Sequence, residues 1–475
     1  MTLPDVTITV SDGALGLAAN NPENLHAKIG VSSSGTANTV YSFGDITVMK
    51  ATLGSGPLVE DAGFHLATAG GPVLAVPVAA SNVGTVGTVT RVGTSPSPGL
   101  ATTGNPRDAY NVIGKIIAGG TVGTATFQIS FDGGVTYSQT YATAASVSAF
   151  AASTGLTLTF VAGTYVAGDT YTFTTVAPTY SASDLNTAID ALLADSRDVG
   201  FIHVVGTVGG ADDAAKITNF VALCAAVATK MSTAEAAKRW QFAIMEAPEV
   251  TEGAWAASAT WQAFASSRIS PVLGRITIAS QVSGRQTSRS LAVSYAGRLA
   301  TTPPQVHPGE TARGPLPGIV AISHDERAYP NGDTARFTTA RTFPNEVGFY
   351  LTTGRMAAAG GSDFVEVMNR RVVDKACRVA NRALFRFLNS NLRVNKADGT
   401  IFEIDAKNVE ANVDALLRAE LVATGNASDV VNTVNRATNL LSTKTLAETV
   451  RVIPVGYASF IAADVGLLNP ALQVI

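Results

Sequence analysis

The chain has 475 residues, of which 46% are hydrophobic and only 15% are charged, and its formal net charge is −3. This length exceeds one ordinary hydrophobic core and predicts two to four domains. The small negative charge argues against general nucleic-acid binding. The low charged fraction favours a surface covered by other copies of the chain.

Cys224 and Cys377 both lie in apolar helical patterns, which fits reduced thiols better than a disulfide scaffold. The first residues lack the basic and long apolar regions of a signal peptide, and no apolar run is long enough to cross a bilayer. We therefore expect a soluble protein that is made in a cytoplasm and does not insert into membranes.

The N-terminal residues predict one isolated strand. Val6, Ile8 and Val10 alternate with polar residues, and a Gly- and Asn-rich stretch follows. A strand on such a stretch pairs with a sheet edge, either in its own molecule or in a neighbour. Residues 27–80 then predict short strands and one helix, Leu58–Ala69.

Residues 81–178 differ in composition and periodicity, because Thr and Gly dominate and apolar residues alternate with period two. Phe127, Ile129 and Phe131 share one face before a DGG turn. Further alternating runs follow, such as LTLTF and DTYTFTTV. The pattern predicts an inserted antiparallel β-sandwich or barrel.

After Pro178 strands and helices alternate, which predicts a parallel α/β sheet covered on both faces. The predicted strands are Val199–Val205, Gln241–Met245 and Arg275–Ala279. The predicted helices are Ser183–Ala194, Asp212–Met231, Glu252–Ser267 and Ser288–Ala300. Two paired strands are predicted at Ala335–Thr339 and Val347–Thr352.

The stretch 361–389 is the longest helical pattern in the chain. At about 100° per residue, five cations fall on one face and apolar residues occupy most of the other. The face could be solvated, or it could dock an acidic partner. We call these five cations the cationic face: Arg371, Lys375, Arg378, Arg382 and Arg386.

The remaining sequence predicts a hairpin at 395–408, helices at Val409–Val422 and Ser428–Leu441, and strands around Val450–Val455 and Phe460–Leu467. The predicted divisions are an N-terminal arm at 1–26, a first core part at 27–80, the β insert at 81–178, an α/β core part at 179–356, a helical inner part at 357–448 and a C-terminal arm at 449–475.

A search for catalytic motifs favours a protein that is not an enzyme. The chain has no GxxxxGK[ST], GxSxG or HExxH sequence. GTVGG at 206–210 follows a predicted strand, but Asp212 and Asp213 stand where a phosphate would bind, so a plain turn is favoured. The five histidines have no ligand spacing, and His203 fits a hydrogen-bonded core residue. We expect no catalytic, cofactor or metal residues.

Two other classes stay open from the residues alone. The α/β segment and the β insert would fit an enzyme with a carbohydrate-binding β domain. The insert alone would fit a tail receptor-binding protein, although the repeats typical of fibres are missing.

Four stretches together resemble the tail sheath proteins of contractile phages and related injection systems. They are IGVSSSGTANTVYSFGDITVMKATLGSGPLVEDAGFHLATAGGPVLAVPV, TARTFPNEVGFYLTTGR, the helix at 361–389 and VRVIPVGYASFIAADVGLLNP. In the second stretch Ala340, Arg341 and Thr342 lead into a strand that ends at Arg355. The resemblance covers both ends of the chain and omits 81–178, as expected for an insert.

The resemblance implies a sheath-type α/β core built from N- and C-terminal segments, with an all-β insert and extended terminal arms. It implies a structural subunit that forms stacked hexameric rings around an inner tube and contracts by rearrangement. The partners would be other copies of the chain, the inner tail tube protein, and the baseplate and tail terminator proteins. The location would be the virion tail, assembled in the host bacterial cytoplasm.

The resemblance also implies roles for particular residues. The cationic face would lie toward the tube, and changing Arg378 and Arg382 to Glu would weaken assembly without affecting the fold. The arms would add strands to neighbouring subunits. The arm residues expected to do so are Val6, Ile8, Val10, Val450, Val452, Ile453, Val455, Phe460 and Ile461.

Overall fold

The structure is a computed structural model that describes residues 22–93 and 97–467. The chain forms two compact units, one ending at Asn381 and the other beginning at Arg382. The predicted N-terminal strand lies outside the described residues.

The residues before the insert contain one more helix than expected. Asp45 caps the first helix by accepting a hydrogen bond from the Val48 N–H at 3.0 Å. The helix was missed because its sequence, ITVMKATL, is rich in β-branched residues, which favour strands. The elements are β1 (His26–Gly30), β2 (Tyr41–Phe43), α1 (Ile46–Leu53), α2 (Pro57–Thr68) and β3 (Val73–Pro77).

Residues 85–176 form antiparallel strands around their own aromatic core, which contains Phe127, Phe160 and Tyr171. At the base of this region Asn82 and Thr179 exchange two backbone hydrogen bonds, of 3.0 and 2.8 Å. The elements are β4 (Thr85–Val86), β5 (Thr90–Val92), β6 (Leu100–Thr103), β7 (Asn111–Ala118), β8 (Gly120–Thr121), β9 (Thr126–Ser130), β10 (Tyr141–Ala142), α3 (Ala151–Thr154), β11 (Thr157–Phe160), β12 (Thr164–Tyr165) and β13 (Thr170–Val176).

Helices and strands alternate again after the insert, but the strand predicted at Ala335–Thr339 is wrong, since the strand that pairs with Tyr350–Leu351 is Ala340–Arg341. The predicted helix Glu252–Ser267 is two short helices, because Ser258 caps the second one through the Trp261 N–H. The elements are α4 (Ala182–Ala194), β14 (Phe201–Val204), α5 (Asp213–Ala236), β15 (Phe242–Glu246), α6 (Ala254–Ala257), α7 (Ala259–Ala263), β16 (Ile269–Val272), β17 (Arg275–Ala279), β18 (Gln286–Ser290), α8 (Ala292–Thr301), a 3₁₀ turn (Thr311–Arg313), β19 (Ile319–Ile322), β20 (Ala340–Arg341), β21 (Tyr350–Leu351) and α9 (Val367–Phe385).

The central sheet has the strand order β16-β15-β14-β1-β3-β2, and every neighbouring pair is parallel except β3 with β2. The predicted parallel sheet is therefore present, and it combines strands from before and after the insert. One predicted member is wrong, because β17 pairs antiparallel with β18 and β19. Only Leu273 and Gly274 separate β16 from β17, and a parallel neighbour needs a crossover of a dozen or more residues.

Helices α4 and α5 cover the sheet with apolar side chains, among them Ile189, Phe220 and Val227. By length and composition α5 could cross a membrane, although core helices give the same signal. Its apolar residues lie in the same buried cluster as the sheet strands. Cys224 of α5 is a buried free thiol, and burial raises its pKa well above the ordinary value.

The second unit contains a helix and a two-stranded sheet. The prediction of a helix at Ser428–Leu441 is wrong, since β-branched residues form a strand there that buries Val430 and Val434 and exposes Val431. No strand forms between 454 and 467, where the sequence predicted one. The elements are α10 (Glu403–Leu417), a π-helical turn (Arg418–Val422), β22 (Asp429–Val434), α11 (Leu440–Thr443) and β23 (Glu448–Ile453).

Candidate functional site

The predicted C-terminal arm begins as a strand paired within its own chain. Val450 lies opposite Asn432 and Val452 opposite Val430 in the antiparallel β22–β23 ladder. Within the described residues this sheet has only these two strands, so each strand keeps one unpaired edge. Such an edge presents backbone N–H and C=O groups that can pair with another strand.

The residues after β23 are exposed. Val455 is partly buried, but Phe460 is 97% and Ile461 is 85% exposed. Val465 and Leu467 are similarly exposed. Four large apolar side chains within eight residues form an apolar tail segment, which is typical of a surface that another molecule covers.

The cationic face divides into buried and exposed members. Arg371 is only 3% exposed and donates hydrogen bonds to the carbonyl oxygens of Leu299 at 2.8 Å and Thr302 at 3.0 Å. Burial lowers the pKa of Arg371 to about 10. This residue holds its own subunit together, so the expectation that it faces a tube is corrected.

Arg378 also contacts its own chain. Its Nε atom donates to the Asp198 carboxylate at 2.8 Å, and its Nη2 atom donates to the Val199 carbonyl at 3.1 Å. A second carboxylate, that of Glu23, lies 3.6 Å from Nη1. The side chain is 11% exposed, so little of its charge reaches the surface.

Two of the remaining members of the cationic face are exposed. Arg382 is 57% exposed and pairs with Glu420, while Arg386 is exposed and Lys375 is partly buried. An exposed ion pair contributes about 0–1 kcal/mol, so Arg382 could exchange its partner at little cost. The exposed positive charge of this face therefore lies at Arg382 and Arg386.

A buried ion network on the same helix was not predicted. Asp374 accepts two hydrogen bonds from Nη1 of Arg268, at 2.7 and 2.9 Å, and it also pairs with Arg370. All three residues are buried. The i,i+4 spacing of Arg370 and Asp374 was visible in the sequence, but the pairing with Arg268, in the turn before β16, was not.

A second buried network crosses the parallel sheet. Lys28 Nζ lies 2.8 Å from Nδ1 of His203, and Nε2 of His203 lies 3.0 Å from Glu246 Oε1. Burial lowers the pKa of Lys28 to about 8. The other oxygen of Glu246 accepts from the Gly206 N–H at 3.0 Å. His203 is thus a hydrogen-bonded core residue, as predicted.

The GTVGG turn has the features of a plain strand–helix connection. Asp212 caps α5 by accepting from the Ala215 N–H at 2.8 Å. The Gly206 N–H donates to Glu246. Carboxylates of the chain therefore already accept the backbone hydrogen bonds that a bound anion would need. The turn lines a cleft of about 1030 Å³ at the carboxyl ends of β1, β14 and β15.

The sequence matches family profiles along most of its length. The profile described as "DUF2586, N-terminal domain" matches residues 3–355, and that of the DUF2586 C-terminal domain matches residues 363–472. The chain belongs to the DUF2586 family. A comparison of this DUF2586 protein with curated proteins finds no match.

Solved structures show that the DUF2586 protein has the fold of contractile sheath proteins. The helical sheath of the anti-feeding prophage in its contracted state has a TM-score of 0.55 at 10% identity, over 98% of this chain and 99% of that chain. The contracted PVC sheath complex of an extracellular contractile injection system has 0.53 at 11%, over 100% and 99%. A chain of the contracted anti-feeding prophage baseplate has 0.53 at 13%, over 98% and 99%. The resemblance drawn from the sequence is confirmed for the fold.

Proposed function

We propose that this DUF2586 protein is a structural subunit of a contractile sheath. It polymerises as stacked hexameric rings around an inner tube, and rearrangement of its subunits drives the tube through a cell envelope. The observation that carries this proposal is a sheath fold that extends over nearly the whole chain, including the region after residue 381. The low charged fraction also suits a chain whose surface is covered by copies of itself.

Polymerisation uses the terminal arms. Val450, Val452 and Ile453 form a strand with an available edge, and Val455, Phe460 and Ile461 continue it as an apolar segment. Strand addition from a neighbouring subunit supplies directional main-chain hydrogen bonds while the flanking loops bend. The N-terminal residues Val6, Ile8 and Val10 supply the complementary strand.

Contraction is driven by newly buried intersubunit surface instead of nucleotide hydrolysis. The extended sheath is metastable, and contacts to the baseplate, the tail terminator and the tube hold it until it is released. Lys375, Arg382 and Arg386 contact an acidic inner tube through weak, salt-sensitive ion pairs that a sliding interface can break. The assembled sheath lies in a virion tail or an injection particle built in the bacterial cytoplasm.

Electron microscopy of the purified full-length protein tests the proposal. Negative staining should show tubes or rings, because the arms cross-link subunits without help from other proteins. Deletion of Thr2–Asp12 should leave a folded, soluble subunit that no longer polymerises. A full-length protein that stays monomeric at high concentration would contradict the sheath role, and tubes formed by the deletion variant would contradict only the arm assignment.

A further inference from the structure

Three side chains that can bind metal meet beneath the cleft, although they come from separate segments. They are Asp61 on α2, His203 on β14 and Glu246 at the end of β15. All three are buried, and one ligand atom from each lies within 4.8 Å of the other two. Atoms bound to one ion lie up to about 4.2 Å apart, twice a bond of roughly 2.1 Å. Small side-chain rotations therefore bring them to ligand distance.

Asp61 provides an independent sign of a missing partner. It is 1% exposed, and both of its carboxylate oxygens lack a hydrogen-bond donor among the described residues. The Nε atom of Arg289 is 3.9 Å from Oδ1, beyond hydrogen-bond distance. A buried ionised carboxylate needs a cation or hydrogen bonds to offset its lost hydration. A bound ion would supply that partner.

We propose that Asp61, His203 and Glu246 bind a divalent transition-metal ion such as Zn²⁺ or Mn²⁺. Two carboxylates and one imidazole form a mixed oxygen and nitrogen donor set that suits these ions better than Mg²⁺ or Ca²⁺, which prefer oxygen alone. Asp61 and Glu246 line the cleft, so an ion reaches them from solvent. The bound ion ties α2 to two strands of the central sheet.

The hydrogen bonds of His203 define how the ion enters. Its Nε2 atom faces Glu246 at 3.0 Å and is the nitrogen that binds the ion, while Nδ1 lies 2.8 Å from Lys28 Nζ. The ion takes the place of the proton on Nε2. As it does so, the ammonium of Lys28 passes one proton to Nδ1, and the N–H formed there donates a hydrogen bond to the resulting neutral amine, an outer partner of the kind that orients metal-binding histidines. One proton is released to solvent.

The sequence pattern predicted no metal site because these ligands have no local spacing. More than forty residues separate each ligand from the next along the chain. They converge only because β1, β14 and β15 are neighbours and α2 packs over them. The site is independent of the proposed sheath role.

Metal analysis of the full-length protein tests the site. Protein purified without chelator should carry one ion per chain by mass spectrometry of the metals. After treatment with EDTA, Zn²⁺ or Mn²⁺ should raise the melting temperature, since a ligand that binds only the folded state stabilises it. Co²⁺ should give visible absorption from its ligand field. No stoichiometric metal and no thermal shift, or a shift with only Mg²⁺ or Ca²⁺, would overturn the proposal.

Matched variants identify the ligands. Asp61→Asn and Glu246→Gln should each weaken Zn²⁺ binding by more than the roughly 10–100-fold that loss of an outer partner produces. Glu60→Gln is the control, because Glu60 is buried beside Asp61 but accepts from the Ser280 hydroxyl. It should bind as the unchanged protein does. A loss of Zn²⁺ affinity in Glu60→Gln equal to that in the other two variants would overturn the ligand assignment. If Asp61→Asn does not fold, a comparison of the Co²⁺ spectra of the unchanged protein and Glu246→Gln tests the assignment instead.

Discussion

The parallel-sheet core and the apolar tail segment place large apolar side chains in opposite environments. In the core Trp261, Phe220 and Phe337 are fully buried and in ring contact. After β23 Phe460 and Ile461 are almost fully exposed. Burial of one such side chain contributes roughly 1.5–3 kcal/mol. The comparison separates residues that hold one subunit together from residues available to another molecule.

The cationic face repeats this contrast within one helix. Arg371 and Arg378 bond to groups of their own chain, while Arg382 and Arg386 are exposed. A buried guanidinium with several partners cannot be moved without leaving charges unpaired. Residues of one type therefore serve the fold near the start of α9 and remain available for binding near its end.

The largest expected effect is in the aromatic core. Trp261→Ala should lower the free energy of unfolding by about 3–5 kcal/mol, because it removes a buried ring that stacks on Phe337 at 4.7 Å. It also leaves the Ala335 carbonyl without the indole donor at 2.6 Å. Urea denaturation followed by fluorescence measures the change. Val347→Ala, at an 89% exposed position, should stay within about 0.5 kcal/mol.

Arg378→Glu should also destabilise the subunit, by roughly 3–5 kcal/mol, since a carboxylate would then face those of Asp198 and Glu23. Its thermal midpoint in circular dichroism measures the loss. For Arg378 this prediction differs from the expectation drawn from the sequence, in which changes at Arg378 and Arg382 leave the fold intact. A variant with an unchanged midpoint would show that the buried contacts of Arg378 are dispensable.

Changes in the apolar tail segment should affect assembly alone. The double variant Phe460→Ser, Ile461→Ser should keep its unfolding free energy within about 0.5 kcal/mol, because neither side chain is buried in the subunit. Tubes or rings should be lost, as counted in negative-stain images. Val347→Ser is the matched control for loss of an exposed apolar side chain. Equal assembly by both variants would contradict a role for the tail segment.

The smallest effect is expected at the exposed end of α9. Arg382→Glu with Arg386→Glu should change subunit stability by about 1 kcal/mol or less, since only the exposed pair with Glu420 is broken. Sheath formation around the tube should become weaker and should respond more to salt. Co-sedimentation with the tube protein measures this binding. Binding equal to that of the unchanged protein would show that these arginines are only solvated and do not contact the tube.

Sequence reasoning found the elements with strong periodicity. The alternation of apolar strands with helices predicted the parallel sheet, and the helical spacing of cations and apolar residues predicted α9. It failed where neighbours decide the outcome. Nothing in the helical pattern distinguishes Arg378, which Asp198 covers, from Arg382. Ser428–Leu441 was predicted as a helix because its strand is stabilised by pairing with β23, a segment that lies apart from it in the sequence.

The buried network at Lys28 shows the same limit for the candidate site. Its contacts depend on the register that sets Lys28 opposite His203 across two parallel strands. A shift of one residue would turn each side chain to the other face of the sheet. The domain divisions, the arms and the tube-facing role of Lys375, Arg382 and Arg386 remain predictions.

The backbone bonds between Asn82 and Thr179 have a consequence for how such a protein can diversify. They hold the two chain ends of the 85–176 region side by side, so a short turn could replace everything between them without altering the path of β3 and α4. We expect related chains to carry different modules at this junction. The same junction is a natural place to graft a peptide tag or a foreign domain, which would decorate every subunit of a particle in a regular array.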